Sequence, residues 1–155
     1  MEERGDIAQA LNTFLVEVFN DILKTEERCV TAGGSDLSLR ELHLIEAVCR
    51  AVDRDGDNRA SAIAAAQRVT AGTLTASVNQ LEAKGYLERV RDSGDKRSVR
   101  LRPTERGREA DRRHAAFHRE MVGEIVESLP PEELAVLLRG LESLAAFFRE
   151  RYLNE

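Results

Sequence analysis

The chain has 155 residues, enough for one ordinary domain with a hydrophobic core of its own. Its 42% hydrophobic and 33% charged residues are typical of a folded, helix-rich protein and exclude a largely disordered one. The formal net charge of −5 does not exclude a polyanionic partner, because phosphate contacts depend on a local basic patch and not on the overall sum.

Two further features of the composition concern the compartment. No apolar run approaches the roughly 18 residues of a membrane span, and the acidic start Met-Glu-Glu is unlike a secretory signal. The cysteines, Cys29 and Cys49, lie in different segments and do not resemble a disulfide framework. We therefore expect a cytoplasmic protein with reduced thiols and no membrane partner, and we place Cys49 on the buried side of its helix.

The first element in chain order is an amphipathic helix over about residues 6–31. Its apolar stripe is longer than a small core needs, so we expect a partner to cover part of it. The residues of the stripe are Ile7, Leu11, Phe14, Leu15, Val18, Phe19 and Ile22.

A second helix is predicted to begin at Ser38, because Ser38-Leu39-Arg40-Glu41 is a capping-box pattern, and to run to about Val52. The segment that follows, residues 53–58, superficially resembles a calcium loop. It has Asn58 where such a loop needs Gly and Ala64 where it needs a bidentate Glu. We interpret it as a solvated turn.

Residues 61–85 predict a helix-turn-helix. An alanine-rich helix over 61–66 and a turn over 67–69 precede Thr70, which is placed to cap the next helix. In that helix the apolar Leu74, Val78 and Leu81 recur at helical spacing, so they share one face that can be buried. The side chains on the opposite face are small, polar and nearly free of acids. Gly85 supplies a C-terminal stop.

A basic hairpin is predicted directly after this helix. Residues 86–91 and 98–102 form two short strand patterns around a polar, Gly-containing tip. From Lys84 to Arg113 there are eleven Lys or Arg against six Asp or Glu, so this stretch is basic within an acidic chain. A helix followed by a basic hairpin indicates a winged helix-turn-helix that approaches DNA.

The hairpin also carries a family resemblance. Residues 92–97 read DSGDKR and are followed by Leu101, Thr104 and Gly107, and residues 81–89 read LEAKGYLER. Together these motifs resemble the MarR family of bacterial transcription regulators over nearly the whole chain. The resemblance implies a mainly α, winged helix-turn-helix protein that forms one domain over 1–155. Its winged lobe would cover 38–104, and a linking helix would cover 104–128.

The last predicted helix, residues 131–153, repeats the apolar pattern of the first. Pro131 suits its first turn, and its stripe consists of Leu134, Leu137, Leu138, Leu141, Leu144, Phe147 and Phe148. Two terminal helices with surplus apolar surface suggest a two-fold homodimer. The resemblance implies one in which the termini of both subunits, 6–31 and 131–153, interdigitate.

The predicted DNA contacts lie on the recognition helix and the wing. Thr70, Thr73, Ser77 and Gln80 can hydrogen-bond bases or phosphates, and Ala71 can touch a thymine methyl group. At the wing tip, Lys96 and Arg97 are candidates for the minor groove or its phosphates, while Arg97 equally suits an ion pair with Asp92 or Asp95. A dimer would read a pseudo-palindromic operator in double-stranded DNA.

The histidines, His43, His114 and His118, suggest a metal site. His114 and His118 are four residues apart on one predicted helix, so both can bind one metal ion. The segment between them lacks the Glu of a zinc metalloprotease, which argues against hydrolysis.

Within the family that the chain resembles, the zinc-sensing repressors of zinc uptake place histidine ligands at the positions of His43, His114 and His118. A carboxylate late in the first helix completes their site, and Glu27 falls there, with Glu26 or Cys29 as the alternative fourth ligand. The resemblance therefore implies zinc as a co-repressor.

Other classes remain open for the effector. A MarR-type regulator released from DNA by a small aromatic or anionic ligand is one alternative, and a redox sensor that uses Cys29 is another. An enzyme is not expected, because the sequence has no Ser-His-Asp or Cys-His constellation and no phosphate-binding Gly loop.

Overall fold

The computed structural model describes residues 2–32, 34–54, 56–91 and 98–153. The chain forms α1 (Glu2–Ala32), α2 (Leu39–Asp53), α3 (Ala60–Ala66), α4 (Ala71–Ala83), β1 (Leu87–Arg91), β2 (Val99–Pro103), α5 (Glu105–Ser128) and α6 (Pro131–Phe148), and a π-helical turn at Arg149–Leu153. The mainly helical fold with a two-stranded wing is thus confirmed. The chain divides into two compact units, Met1–Ala115 and Ala116–Glu155, and α5 contributes to both.

The start of α2 has the predicted capping box. The Ser38 hydroxyl accepts a hydrogen bond from the amide of Glu41 at 3.3 Å, and the Ser38 amide donates to the Glu41 carboxylate at 2.8 Å. The ammonium of Lys84, at the end of α4, donates to the same carboxylate at 2.8 and 2.9 Å. One carboxylate therefore both caps α2 and ties it to the recognition helix.

The core of the first unit lies between α2, α4 and the wing. The predicted inward stripe of α4 is confirmed, since Leu74, Val78 and Leu81 are all buried. Ile45 from α2 and Leu101 from β2 are fully buried in the same cluster. Burial of each such side chain contributes about 1.5–3 kcal/mol, so this cluster fixes the direction in which α4 faces.

The end of α4 explains why the wing begins where it does. Gly85 has φ +77°, which its missing Cβ permits, and it directly follows the last turn. The amide of Tyr86 donates to the carbonyl of Leu81 at 2.8 Å, and that of Gly85 to the carbonyl of Glu82 at 2.9 Å. This Schellman arrangement reverses the chain within two residues and starts β1.

The wing is an antiparallel pair in which Leu87 lies opposite Pro103 and Arg91 opposite Val99. The predicted tip, with Lys96 and Arg97, falls outside the described residues. The start of α5 packs closely against the turn between α4 and β1. A Cβ on Gly107 would lie 2.2 Å from the carbonyl oxygen of Tyr86, so no larger residue fits there without a shift.

The turn before α3 differs from the expectation of a solvated loop. Gly56 and Asp57 are exposed, but Asn58 is buried. Its side-chain amide donates to the carbonyl of Leu101 at 2.9 Å, and its side-chain oxygen accepts from Arg100 at 2.8 Å. The turn is therefore held against β2, because the buried Asn58 side chain hydrogen-bonds groups of the wing.

The first and last α-helices, α1 and α6, both carry exposed apolar residues. The first unit contains α1, and the second unit contains α6. Within α6, every residue of which the structure describes, none is buried. The large exposed apolar residues of α1 are Ile7, Leu11, Phe14, Val16, Phe19 and Leu23, and those of α6 are Val136, Leu137, Leu138, Leu141, Phe147 and Phe148. No helix in the described part of the chain has both the length and the apolar character needed to cross a bilayer.

Candidate functional site

The outward face of α4 is the first candidate site. Its helix begins at Thr70, whose hydroxyl accepts from the amide of Thr73 at 3.1 Å and lies 2.8 Å from the hydroxyl of Thr73. Ser77 donates to the carbonyl of Thr73 at 3.2 Å. These three hydroxyls therefore form local hydrogen bonds in the first turns of α4. Each hydroxyl oxygen can also accept a hydrogen bond from a ligand.

The exposed residues of α4 present small and amide side chains. Ala71 and Gln80, both proposed from the sequence, are exposed, whereas Ser77 is half-buried. Asn79 is also exposed and was missed by the sequence-based reasoning. Its place next to the inward-facing Val78 could have indicated that it is exposed. An exposed Asn on a recognition helix is a candidate base contact, because its amide can form a bidentate pair with adenine.

The turn before α4 holds a second residue that the sequence did not single out. Arg68 is exposed and has φ +54°, a left-handed conformation that costs a non-glycine residue about 1–2 kcal/mol. Its amide donates to the carbonyl of Ala65 at 3.1 Å, which closes the turn. A cation held in this way at the entrance of the recognition helix is placed near any phosphate that approaches that helix.

Several cations of the basic stretch, residues 84–113, form ion pairs with carboxylates of the protein itself. Arg89 forms an ion pair with Glu82, and its amide donates to the same carboxylate at 2.8 Å, which joins β1 to α4. Further ion pairs link Lys84 to Glu41, Arg106 to Asp36, Arg108 to Asp53, and Arg112 to Glu105 and Glu109. The positive charge facing a ligand is therefore smaller than the sequence count suggests.

A second candidate site is a cluster of imidazoles and carboxylates in the first unit. His114 of α5 and Glu26 of α1 are 4% and 5% exposed. The Nδ1 atom of His114 lies 2.6 Å from Oε1 of Glu46 on α2, and Nε2 lies 3.8 Å from Oε1 of Glu26. The ring of His43, also on α2, is centred 5.7 Å from that of His114.

The cluster refines the choice among the predicted ligands. One ligand atom from each of His43, Glu46 and His114 lies within 4.8 Å of the others. Glu26 lies beside His114, whereas Glu27 is exposed. A one-residue choice of this kind depends on how α1 is rotated against its neighbours, because adjacent helical residues point about 100° apart.

Two further predicted residues are His118 and Cys29. His118 stands one helical turn after His114 on α5, in the second unit. Cys29 is exposed and lines a small cleft of the first unit, which is also lined by Val30, Leu37, Leu42 and Arg113. The other cysteine, Cys49, is buried as expected, and burial raises the pKa of its thiol to about 12. Such a thiol is unreactive at neutral pH.

Comparisons with known proteins were made on the sequence and on the structure. Residues 35–98 match the MarR family. FabT of Streptococcus pneumoniae, solved in complex with DNA, is 38% identical; the match covers 92% of this chain and 98% of that chain, with a TM-score of 0.84. No curated protein matched the sequence.

Two more distant structures share the fold. The DNA complex of S. aureus MepR matches at 18% identity over 89% of this chain and 97% of that chain, with a TM-score of 0.67. A mutant of E. coli MarR matches at 19% identity over 87% of this chain and 96% of that chain, with a TM-score of 0.62. At these identities the likeness concerns the fold alone.

Proposed function

Because the chain belongs to the MarR family of DNA-binding transcription regulators, which are not enzymes, we propose that it is a homodimeric repressor that binds a pseudo-palindromic operator and uses zinc as a co-repressor. A regulator of this kind acts on the chromosome, so its compartment is the cytoplasm. The observation that carries the DNA-binding role is the face of α4, which is exposed and free of acids opposite its buried stripe. That FabT was solved with DNA supports the same role.

The proposed readout combines weak base contacts with phosphate contacts. Ala71 and Gln80, together with Asn79, present a methyl group and two amides to the major groove. Thr70, Thr73 and Ser77 are placed for phosphates or bases near the start and middle of α4. We retain Lys96 and Arg97 as wing contacts on the strength of their sequence motif.

Zinc is supported by the donor set around His114. Two ligands of a tetrahedral zinc ion lie about 3.4 Å apart, and Nε2 of His114 is 3.8 Å from the Glu26 carboxylate. His43 contributes a second imidazole from α2. We retain His118 as the remaining ligand, since it stands four residues after His114 on α5, and we replace Glu27 by Glu26.

When bound, zinc would supply bonds that join α1, α2 and α5. The chain's own contribution is to hold a buried imidazole and a buried carboxylate at fixed positions on separate helices. An ion pair between Glu41 and Lys84 also joins α2 to α4. A change in the position of α2 would therefore change the position of the recognition helix. Zinc affects DNA binding only as far as it favours the conformation that fits the operator.

The test measures zinc binding and operator binding in the same preparation. Genomic fragments selected in a gel shift supply the operator, and its affinity is then measured with chelator and with zinc. We expect zinc to raise operator affinity by about 5- to 150-fold, and the operator to raise zinc affinity by the same factor. His114→Ala should abolish both effects and leave the affinity of the zinc-free protein unchanged.

Two outcomes separate the parts of this proposal. A protein that binds no genomic fragment, either with chelator or with zinc, would contradict the operator role. Equal operator affinity with chelator and with zinc would reject zinc as the effector and leave the DNA-binding role intact.

The cleft that His114 helps to line favours two other effector classes. Apolar walls with Arg113 at one side suit an anionic amphipathic ligand, and Cys29 on the same cleft suits a thiol-directed oxidant. Either would act on the protein in chelator as well as in zinc. Cys29→Ser would abolish only the response to the oxidant.

A further inference from the structure

We propose that Glu46 is the positioning residue of the zinc site: it holds the proton of His114 on Nδ1 and thereby directs Nε2 to the metal. This inference rests on the proposed zinc function and adds a residue to it. Glu46 was absent from the ligand set that the family resemblance implied, and its role follows from the two distances around the His114 ring.

The distances assign different roles to the two sides of the imidazole. The separation of 2.6 Å between Nδ1 and the Glu46 carboxylate is a hydrogen-bond distance. It is too short for two ligands of one zinc ion, which lie about 3.4 Å apart. The separation of 3.8 Å between Nε2 and the Glu26 carboxylate leaves room for an ion with a small adjustment.

The direction of the hydrogen bond follows from the chemistry of the carboxylate. An ionised Glu can only accept, so the proton lies on Nδ1 of His114. In the neutral imidazole the other nitrogen, Nε2, is then unprotonated, and an unprotonated ring nitrogen is the form that binds a metal ion. Carboxylates placed in this way fix both the tautomer and the ring orientation of a metal-binding histidine and increase its basicity.

The half-buried location of Glu46 on α2 also favours a hydrogen bond with His114. Its side chain is 18% exposed, and its sequence neighbours Leu44, Ile45 and Val48 are buried in the core. A carboxylate in this position is costly unless it is hydrogen-bonded. Glu46 follows His43 by three residues, so one face of α2 supplies both a candidate ligand and the group that orients the ligand on α5.

The competing role for Glu46 is direct coordination, and two substitutions distinguish it. Glu46→Gln keeps an oxygen that accepts from Nδ1 but removes the charge, whereas Glu46→Ala removes the acceptor. For a positioning residue, Ala should weaken zinc binding by about 10- to 100-fold, and Gln should restore most of the affinity. For a direct ligand, both substitutions should weaken binding alike.

The experiment measures zinc affinity by chelator competition and records the visible spectrum of the cobalt-substituted protein. Glu109→Gln serves as the control, because it makes the same substitution at an exposed carboxylate on the same helix as His114. We expect the cobalt spectra of wild type and Glu46→Gln to agree in band positions, which reports an unchanged set of ligands. ¹⁵N NMR of the metal-free protein should find the neutral His114 ring as the Nδ1–H tautomer in the wild type and as a mixture of the Nδ1–H and Nε2–H tautomers in Glu46→Ala.

The outcomes keep this inference apart from the zinc function itself. If the wild type binds zinc and Glu46→Ala binds it equally well, or if Glu46→Gln loses as much affinity as Glu46→Ala, the positioning role is overturned and the zinc site stands. If the wild type binds no zinc, the zinc function fails and this role fails with it. A wild-type His114 that carries its proton on Nε2 would also overturn the inference.

Discussion

At the scale of single residues, the Glu41 carboxylate joins two elements by electrostatics. Burial raises the pKa of this carboxyl group, but hydrogen bonds from Lys84 and Ser38 outweigh burial and lower the pKa below its ordinary value of 4.5. A group whose pKa is lower in the folded state stabilises the fold above its unfolded pKa. That stabilisation is lost as the pH falls through the folded pKa.

Lys84→Met should therefore destabilise the protein in a pH-dependent way. At neutral pH we expect a loss of about 1–3 kcal/mol, because Glu41 keeps its charge in a mostly buried position without the ammonium partner. The difference from the wild type should shrink as the pH falls below 4.5 and Glu41 becomes protonated. Urea unfolding at several pH values measures this difference.

Lys24→Met is the matched control, since Lys24 is an exposed lysine of α1. It should change stability by no more than about 0.5 kcal/mol at any pH. A Lys84→Met deficit of the same size at neutral and at acidic pH would show that packing of the lysine stem, and not its charge, joins α4 to α2.

At the scale of elements, local signals in the sequence were sufficient for the helices and strands. Ser38, Thr70 and Gly85 mark ends by short-range hydrogen bonds or by backbone conformation, and each acts as predicted. The inward stripe of α4 was likewise readable, because helical spacing alone decides which residues share a face.

Contacts between elements could not be read in the same way. The hydrogen bond of Asn58 joins residues 43 apart in the chain, and that of Glu46 with His114 spans 68 residues. Nothing in the immediate neighbourhood of either residue indicates these partners. Our proposal of Glu26 in place of Glu27 rests on the rotation of α1, which depends on packing. The sequence thus predicted the kinds of groups in the candidate site but not their pairing.

Asn58 allows a test of how the wing is held by the preceding turn. Asn58→Leu should cost about 1–3 kcal/mol, because the carbonyl of Leu101 and the guanidinium of Arg100 lose a buried partner. Amide exchange at Leu101 should become faster, since its amide donates to the backbone of residue 58 at 2.9 Å.

Asp57→Ala removes the neighbouring side chain, which is exposed and pairs with Arg59. We expect a much smaller effect from it, because exposed ion pairs contribute little to stability. Equal exchange rates at Leu101 in Asn58→Leu and in the wild type would mean that the Asn58 side chain does not hold the wing.

At the scale of the whole molecule, the apolar faces of the terminal helices are the main unexplained surface. Phe14 and Phe19 on α1 are 60% and 65% exposed, and α6 has several apolar residues with comparable exposure. Contiguous apolar surface of this kind is rare on a soluble monomer and marks an interaction site. We propose a second copy of the chain as the partner, because the proposed pseudo-palindromic operator would require two recognition helices.

Phe14→Asp tests the dimer and its consequence for DNA together. In an isolated subunit the exposed ring contributes little to the fold, so the substitution should leave the helical circular dichroism unchanged. In a dimer interface the buried charge should shift sedimentation at micromolar concentration from dimer to monomer. Asn12→Asp, which adds the same charge at another exposed position of α1, should leave the dimer intact.

Operator affinity should then follow the oligomeric state. When one half-site is bound, the second recognition helix of a dimer binds as part of the same molecule, and this raises overall affinity by about 10²- to 10⁴-fold over a single subunit. Phe14→Asp should lose most of this factor at subunit concentrations where it is monomeric, and the loss should shrink when its concentration is raised. A monomeric variant with the operator affinity of the wild type would show that each subunit reads the DNA alone.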